Sequence, residues 1–529
     1  MKRRTFLTIV GVSLAVASCG DDTTATVSSK ELPDSIKAIL AKPRYAKATW
    51  SLLVGDVETG ETFYELNPDK MALTGSTRKL FSVGTALKTL GAQHRVTTRV
   101  HRAGDDLVLV GAGDLTFGGR RIDANTVQFT DFDHNDANSL GTAILTPQDP
   151  LYAVNQLAEQ VRKSGITTVT DVVVDSRLFT PYRVPNGNLL ITPTLVNENQ
   201  VDVTVSPTQP GQPASVDYRP RTAALRVGGT VDTSAAGAPE EITLSNRGLV
   251  DCIGSSDCSA TISGTLPQGY QAPLTNSATF VGTFRIEDPD AFARTAFIEA
   301  LQRNGVTVTA GAVAPNPAAL LPERSALTDA TAVASFESPP FEQDARLVLK
   351  VSLNLGANLA LSLFGVEKGA TTIDTALAAE RQALISEFGV NGDQFDFPTN
   401  GSGTPDSKAA PRALVALLTA MSKTEVAKDF QACLPIMGTD GSLAHTGTTF
   451  PGKGHVFAKP GTTITAGDDG QTLELKAQNL AGYIETKSGR KVAYALMVND
   501  AGPVQDIAAD VGAVFEDEGE ISSIIYETL

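Results

Sequence analysis

The chain reads as an α/β (α+β) protein whose antiparallel sheet, flanked by helices, is assembled from its two ends and interrupted by a long insertion. Three observations predict this: hairpin patterns at both ends, a helical stretch after the first hairpin, and a shift of composition in the middle of the 529 residues. At the first end, Trp50 to Val54 and Thr62 to Leu66 flank the turn Glu58-Thr59-Gly60. At the other, Leu480 to Thr486 and Lys491 to Val498 flank Lys487-Ser488-Gly489-Arg490, and a helix is expected from about Val504 to Phe515. Residues from about 175 to 290 are rich in Thr, Val, Gly and Pro, with alternating runs such as Val201–Val205 and Ala224–Val227. That pattern suits a small β domain. Two α/β pieces surround it: Asp106–Val110, Ala153–Lys163 and Thr168–Val174 before it, Pro289–Gln302 and Val306–Thr309 after it.

The N-terminus reads as an export signal. Lys2, Arg3 and Arg4 precede the apolar run Phe6–Ala17, which is too short for a stable bilayer anchor. Val16-Ala17-Ser18-Cys19 looks like a bacterial lipobox, so residues 1–18 are expected to be cleaved and Cys19 lipidated. Residues 19–34 then form a polar tether to the membrane. Arg3-Arg4-Thr5-Phe6-Leu7 also resembles a twin-arginine signal, which bears only on the export route. Losing three positive charges takes the formal net charge from −16 to −19, an acidity that disfavours nucleic acid as a partner. Cys252 and Cys258 bracket a turn-prone segment and, in an oxidising compartment, are expected to form a small disulfide loop. Cys433, in an apolar context, is expected to be buried.

The chemistry concentrates at Ser76-Thr-Arg-Lys79. Leu80, Phe81, Val83, Ala86, Leu87 and Leu90 recur with helical spacing up to Gly91, so a helix is expected to begin at Ser76. Residues i and i+3 share a helix face. The Lys79 amine can therefore sit beside the Ser76 hydroxyl as candidate base and nucleophile, with no histidine or cofactor. A second copy, Ser488-Gly-Arg-Lys491, falls in a turn between strands and lacks this context. Ser352-Leu353-Asn354 and Lys459-Pro460-Gly461-Thr462 follow in order, and together the three motifs describe a serine acyl-transferase site of the penicillin-recognising kind. Two other patterns carry no site. Asp131, Asp133, Asn135 and Asp136 imitate a calcium loop but lack its glycine and final glutamate, so a solvated acidic loop is expected. Gly111-Ala-Gly113-Asp114 lacks the third glycine of a dinucleotide fingerprint and reads as a tight turn.

With these motifs stand Leu107–Phe117, Asp171–Phe179, Ser338-Pro339-Pro340, Gly401-Ser402-Gly403, Leu434–Leu443 and Leu480–Tyr483. On them the chain, from about Ser35 to Leu529, resembles the D-alanyl-D-alanine carboxypeptidase/endopeptidase group of low-molecular-mass penicillin-binding proteins, the penicillin-binding-protein-4 type. The resemblance implies a transpeptidase-like domain at residues 35–98 and 335–529. It implies an inserted α/β domain at 99–175 and 300–334, and an inner β-rich domain at 176–299. It further implies that Ser76 is acylated, that Lys79 activates it, and that Ser352 relays a proton to the departing amine. Asn354 binds the substrate's amide, while Lys459, Gly461, Thr462 and Thr463 line the substrate-binding strand and hold the terminal carboxylate. The oxyanion hole uses the N–H groups of Ser76 and Thr462. The implied partners are peptidoglycan stem peptides and cross-links, β-lactams, and a membrane reached through the lipid anchor of an exported, periplasmic or cell-envelope lipoprotein.

A base at neutral pH requires an amine shifted from its ordinary pKa of ~10.4. Burial and neighbouring cations, Lys459 and Lys350 among them, are expected to supply the shift in a basic-lined pocket. Two departures stand out. Pro460 replaces the threonine usual in the third motif, and Leu353 stands where relatives often carry Asp. Pro460 leaves open a catalytically weak peptidoglycan-binding homologue; the shared Ser–Lys pair leaves open a β-lactamase-like or esterase-like hydrolase, although the esterase layout generally has Tyr-x-Asn where this chain has Ser352-x-Asn354.

Overall fold

The computed structural model describes residues 31–467, 470 and 472–529. The signal segment, Cys19 and most of the tether lie outside the described residues. The two ends of the chain do build one sheet. Its strands run Thr62–Leu66, Thr49–Asp56, Lys491–Asn499, Leu473–Glu485 and Val456–Ala466, all antiparallel, with Pro503–Val504 added against Leu473–Glu485. Alternation assigns their side chains to two cores. Leu53, Ala495, Ala481 and Tyr483 join the helical side that carries Ser76. Leu52, Leu496, Leu480 and Ile484 join the opposite side, under the helices Asp34–Leu40 and Gly512–Thr528. Both faces are covered, which is why these strands read as near-continuous apolar runs.

The helix Lys79–Leu90 is buried along most of its length and packs against the helices Phe341–Val351 and Asn354–Glu367. One ion pair fastens its start. Arg78 is wholly buried, grips Glu380 with both terminal nitrogens, and lies 4.0 Å over the Phe397 ring.

Some boundaries differ from expectation. The strands Thr97–Ala103 and Ala332–Glu337 pair with each other in the inserted sheet, with Asp106–Val110 and Val172–Asp175 beyond them. They therefore cross the limits placed at 98/99 and 334/335. The helix Pro289–Arg303 crosses the limit at 299/300, because its apolar face packs on Tyr152–Lys163 and Val172–Asp175 rather than ending with the β unit. The inner unit holds two four-stranded sheets, one around Gln200–Ser206 and Phe280–Ile286, the other around Ser259–Pro267. Cys252 and Cys258 are disulfide-bonded and Cys433 is buried. The helix expected at about Val504–Phe515 starts at Ile507, with a π-helical turn Ile507–Val511, and runs well past its expected end. Val504 is taken by the sheet, and the α-helix spans Gly512–Thr528, through the acidic run Glu516–Glu520 that masks its periodicity.

Of the acidic loop at 131–136 only Asp131 is exposed; the rest is not the solvated stretch expected. Asp133, His134, Glu198 and Asp202 are buried around Arg120, which binds Asp133 and Glu198, while His134 bonds Asp202 at 2.6 Å. Burial opposes a charge on His134, yet the carboxylates of Asp202 and Glu198 overcome it and push the imidazole pKa up to about 10. Asp133, His134 and Glu198 are close enough to share a cation, but Arg120 already neutralises them. This network docks the loop on the catalytic unit: Gly441 N donates to Asp131 Oδ1 at 3.0 Å and Phe132 stacks on His445.

Replacing Arg78 by Met leaves Glu380 charged in an apolar layer and is expected to cost about 3–5 kcal/mol in denaturant unfolding of the catalytic unit. The double variant Arg78→Met/Glu380→Leu is expected to recover most of that loss.

Candidate active site

Ser76 sits in the 3₁₀ turn Gly75–Arg78, and Lys79 opens the α-helix. The turn is tied to the sheet by backbone groups. Asn479 Nδ2 donates to Leu73 O (3.0 Å) and Thr74 O (2.9 Å), and Leu73 N donates to Asn499 Oδ1. Two glycines let it approach the edge strand Val456–Ala466. A Cβ on Gly75 (φ +48°) would lie 2.7 Å from Thr462 N, and one on Gly461 would lie 2.2 Å from Thr74 O and 3.0 Å from Ser76 N. Any side chain there would push Ser76 off the strand.

The same strand supplies its free edge to the cleft. Ala458 N donates to Pro435 O, away from the neighbouring strand. Pro460 and Thr462 share that parity, so the Thr462 N–H points off the free edge beside Ser76 N, as an oxyanion hole requires. Pro460 therefore costs no ladder bond.

Two motifs meet at one amine. Lys79 Nζ lies 2.6 Å from Ser76 Oγ, 3.2 Å from Ser352 Oγ and 2.7 Å from Asn354 Oδ1. Ser352 reaches it because it caps the helix Phe341–Val351 in a left-handed conformation (φ +65°), a strain of about 1–2 kcal/mol for a residue with a Cβ. Leu353 is buried in the core and opens the next helix, with Asn354 as its first residue. The apolar surroundings give Leu353 its reason.

Burial brings the Lys79 pKa down to about 7. Burial alone lowers it, without the expected assistance from neighbouring cations. Lys459 is fully buried near Lys79 and is itself shifted well down, by burial first and Lys79 second. Lys350 takes no part: its Nζ is held by Asp440 (2.6 and 2.7 Å) and Leu434 O (2.6 Å), a tie between two structural segments. Nor is the pocket purely basic. Asp136, delivered by the inserted loop, acts on both Lys79 and Lys459 and opposes their downward shifts. Its own pKa is pushed up to about 6 by burial and Asp133. Because part of the residue stays solvent-accessible, screening softens this last shift. Sequence reading dismissed Asp136 as loop filler; no local signal ties a residue 57 positions from Lys79 to it.

The third-motif threonines diverge. Thr463 faces the helical side, is 2% exposed and bonds Thr404 Oγ1 at 3.1 Å, so it is an anchor rather than a carboxylate ligand. Thr462 faces the other side, is half-buried at the rim, and bonds Gln478 Oε1 at 2.7 Å. Gly461 contributes its missing side chain. Lys459 Nζ donates to Pro460 O at 2.9 Å.

Comparison with known proteins gives a consistent picture. The model of the D-Ala-D-Ala carboxypeptidase 3 (S13) family matches residues 32–518. A D-alanyl-D-alanine carboxypeptidase of Actinomadura sp. (strain R39) is 27% identical over 527 residues, covering 96% of this chain and 87% of that protein. A carboxypeptidase of Mycobacterium tuberculosis is 26% identical over 244 residues, 42% of this chain and 45% of that one. Among solved structures, penicillin-binding protein 4 from Haemophilus influenzae aligns with TM-score 0.66 and 17% identity over 93% of this chain and 99% of its own. The fold is thus the penicillin-recognising, transpeptidase-like one.

The negative charge of Asp136 favours the ammonium form of Lys79. Asp136→Asn is therefore expected to move the acid limb of Ser76 acylation, followed by β-lactam labelling against pH, to lower pH.

Proposed function

The chain belongs to the D-Ala-D-Ala carboxypeptidase 3 (S13) family of serine peptidases, and from that membership we propose that it cleaves the terminal D-alanine from peptidoglycan stem peptides through an acyl-enzyme on Ser76. One observation carries the proposal: the Lys79 amine, with a pKa near 7, lies within hydrogen-bonding reach of Ser76, Ser352 and Asn354 at once.

The steps follow from that geometry. Neutral Lys79 takes the Ser76 proton as Oγ attacks the carbonyl between the two D-alanines. The N–H groups of Ser76 and Thr462 receive the charge that develops on the carbonyl oxygen. Ser352, bonded to the same amine, passes the proton on to the departing D-alanine nitrogen. Asn354 gives its Oδ1 to Lys79, which leaves Nδ2 to donate to a backbone carbonyl of the substrate. The substrate's terminal carboxylate lies against Lys459 and Thr462, and its negative charge draws the Lys459 proton affinity back up. Water then attacks the ester and Lys79 returns as base. The same steps on a cross-link give the endopeptidase reaction, and a β-lactam stalls at the acyl stage. The parity of Pro460 on the free edge weakens the case for a mere peptidoglycan binder.

Localisation belongs to the same proposal: the basic start, short apolar run and lipobox-like Val16–Cys19 support export and anchoring to the cell envelope by lipid on Cys19.

Intact-mass measurement with penicillin is expected to give one covalent adduct that Ser76→Ala abolishes, and a peptide ending in D-Ala-D-Ala is expected to release D-alanine. Labelling is expected to rise with pH about tenfold per unit below pH 7 and level off above, as Lys79 loses its proton. Absence of the adduct favours a binding protein; rapid, sustained cephalosporin hydrolysis favours a β-lactamase. Cys19→Ala is expected to move the protein from the membrane to the soluble fraction.

A further inference from the structure

The back of the substrate strand holds three polar atoms that the mechanism leaves unexplained. Gln478, opposite Thr462 on the neighbouring strand, and Glu518, on the helix Gly512–Thr528, are both 0% exposed. Gln478 Nε2 and both Glu518 carboxyl oxygens lack a hydrogen bond of good geometry, although the amide is near enough to act on the Glu518 proton. Orphaned buried polar atoms destabilise a fold, so a reason for keeping them is needed. The amide connects them to the cleft, because Gln478 Oε1 lies 2.7 Å from Thr462 Oγ1.

We propose that Glu518, acting through Gln478, sets the direction of the Thr462 hydroxyl hydrogen and is thereby a positioning residue for recognition of the substrate's terminal carboxylate. This rests on the carboxypeptidase reading above. A hydroxyl has one hydrogen. If Thr462 gives it to Gln478 Oε1, only lone pairs face the cleft, and they repel a carboxylate. The oxygen and nitrogen of an amide have nearly the same shape, and their placement follows the hydrogen-bond network. Turning the Gln478 amide over lets Nε2 donate to Thr462 Oγ1 and frees the hydroxyl hydrogen for the substrate. The amide oxygen then faces Glu518, which satisfies it only as the protonated acid. A directional chain results: Glu518 O–H to Gln478 O, Gln478 N–H to Thr462 Oγ1, Thr462 O–H to the carboxylate. Ionised Glu518 would claim the amide N–H and reverse every link.

The surroundings favour the acid form. Burial first, helped by the neighbouring carboxylate of Asp517, holds the Glu518 pKa well above the carboxylate range against the Gln478 amide, which favours the ionised form. The other titratable groups facing it are the phenols of Tyr494, on the central strand, and Tyr45. Asp517 is engaged by Lys42 (2.5 Å) and the Tyr45 hydroxyl (2.6 Å), and among the described residues no cation acts on Glu518. The arrangement has added weight here because Pro460, on the same face of the strand as Thr462, brings no hydroxyl of its own.

The test compares two substrates on the full chain: a peptide ending in D-Ala-D-Ala, and an acyl-D-alanine ester whose leaving group carries no carboxylate. Glu518→Leu is expected to raise KM for the peptide about tenfold, one hydrogen bond to a charged group, with kcat and the ester reaction little changed. Glu518→Gln, whose amide N–H donates to Gln478 as the acid does, is expected to restore the peptide KM. It should also abolish the rise in KM expected of the wild type as the pH is raised and Glu518 loses its proton. Equal losses on both substrates, an unchanged peptide KM in Glu518→Leu, or a rise with pH that persists in Glu518→Gln would overturn the proposal. If Glu518→Leu does not fold, the pH profile of Glu518→Gln decides. Thr462→Val separates the readings: a raised peptide KM there with silent Glu518 variants removes only the relay. A silent Thr462→Val removes Thr462 as a ligand together with the relay, and loss of Ser76 labelling removes the enzymatic reading itself.

Discussion

The structure depends on one contact, the backbone of Thr74–Thr77 pressed against the edge of Gly461–Thr462. That contact brings the serine N–H and the Thr462 N–H together, and no side chain can intervene. A Cβ on Gly461 would stand 2.2 Å from Thr74 O. Much else serves to hold it. Asn479 and Asn499 reach from the sheet to residues 73 and 74, and Arg78 with Glu380 anchors the first turn of the helix from behind. The edge strand has only one sheet neighbour, and although Ala458 N is taken by Pro435 O, the Thr462 N–H faces the cleft. An edge that would be a liability in another protein is here the proposed binding surface.

The second constraint is electrostatic. A lysine enclosed by protein sheds its proton more readily than one in water, and the burial that lowers the Lys79 pKa also places Lys459 beside it as a second buried amine. An acidic residue from the insertion, Asp136, counters both. The insertion is thus coupled to the chemistry through a loop whose own buried ion network, centred on Arg120, fixes where that carboxyl stands. Behind the sheet a neutral layer does the opposite task, since Thr462, Gln478 and Glu518 form a line of dipoles without a compensating cation.

The pattern of legible and hidden features has physical causes. Period-two runs exposed both hairpins, and helical spacing after Ser76 exposed the central helix, because in each case the signal lies within one element. The C-terminal helix runs beyond the expected Phe515 because its buried face goes on through Asp517 and Glu518, charges that a periodicity argument assigns to solvent. The loop at 131–136 failed for the same reason: buried ion networks are invisible when their partners, Arg120, Glu198 and Asp202, are scattered along the chain.

The amino-acid order was enough to mark the proposed reacting groups, a serine and a lysine one helical turn apart, together with the order of the two later motifs, the cysteine pair, and the division into terminal and inserted parts. These are local, set by spacing along the backbone. Only the tertiary structure decided which charges count. It assigned Lys350 to Asp440, admitted Asp136 to the pocket, turned Thr463 inward and Thr462 toward Gln478, and showed Pro460 to sit where no hydrogen bond is lost. Such choices depend on which face of a strand or helix meets which neighbour, and residues hundreds of positions apart acquire that relation only when the chain folds.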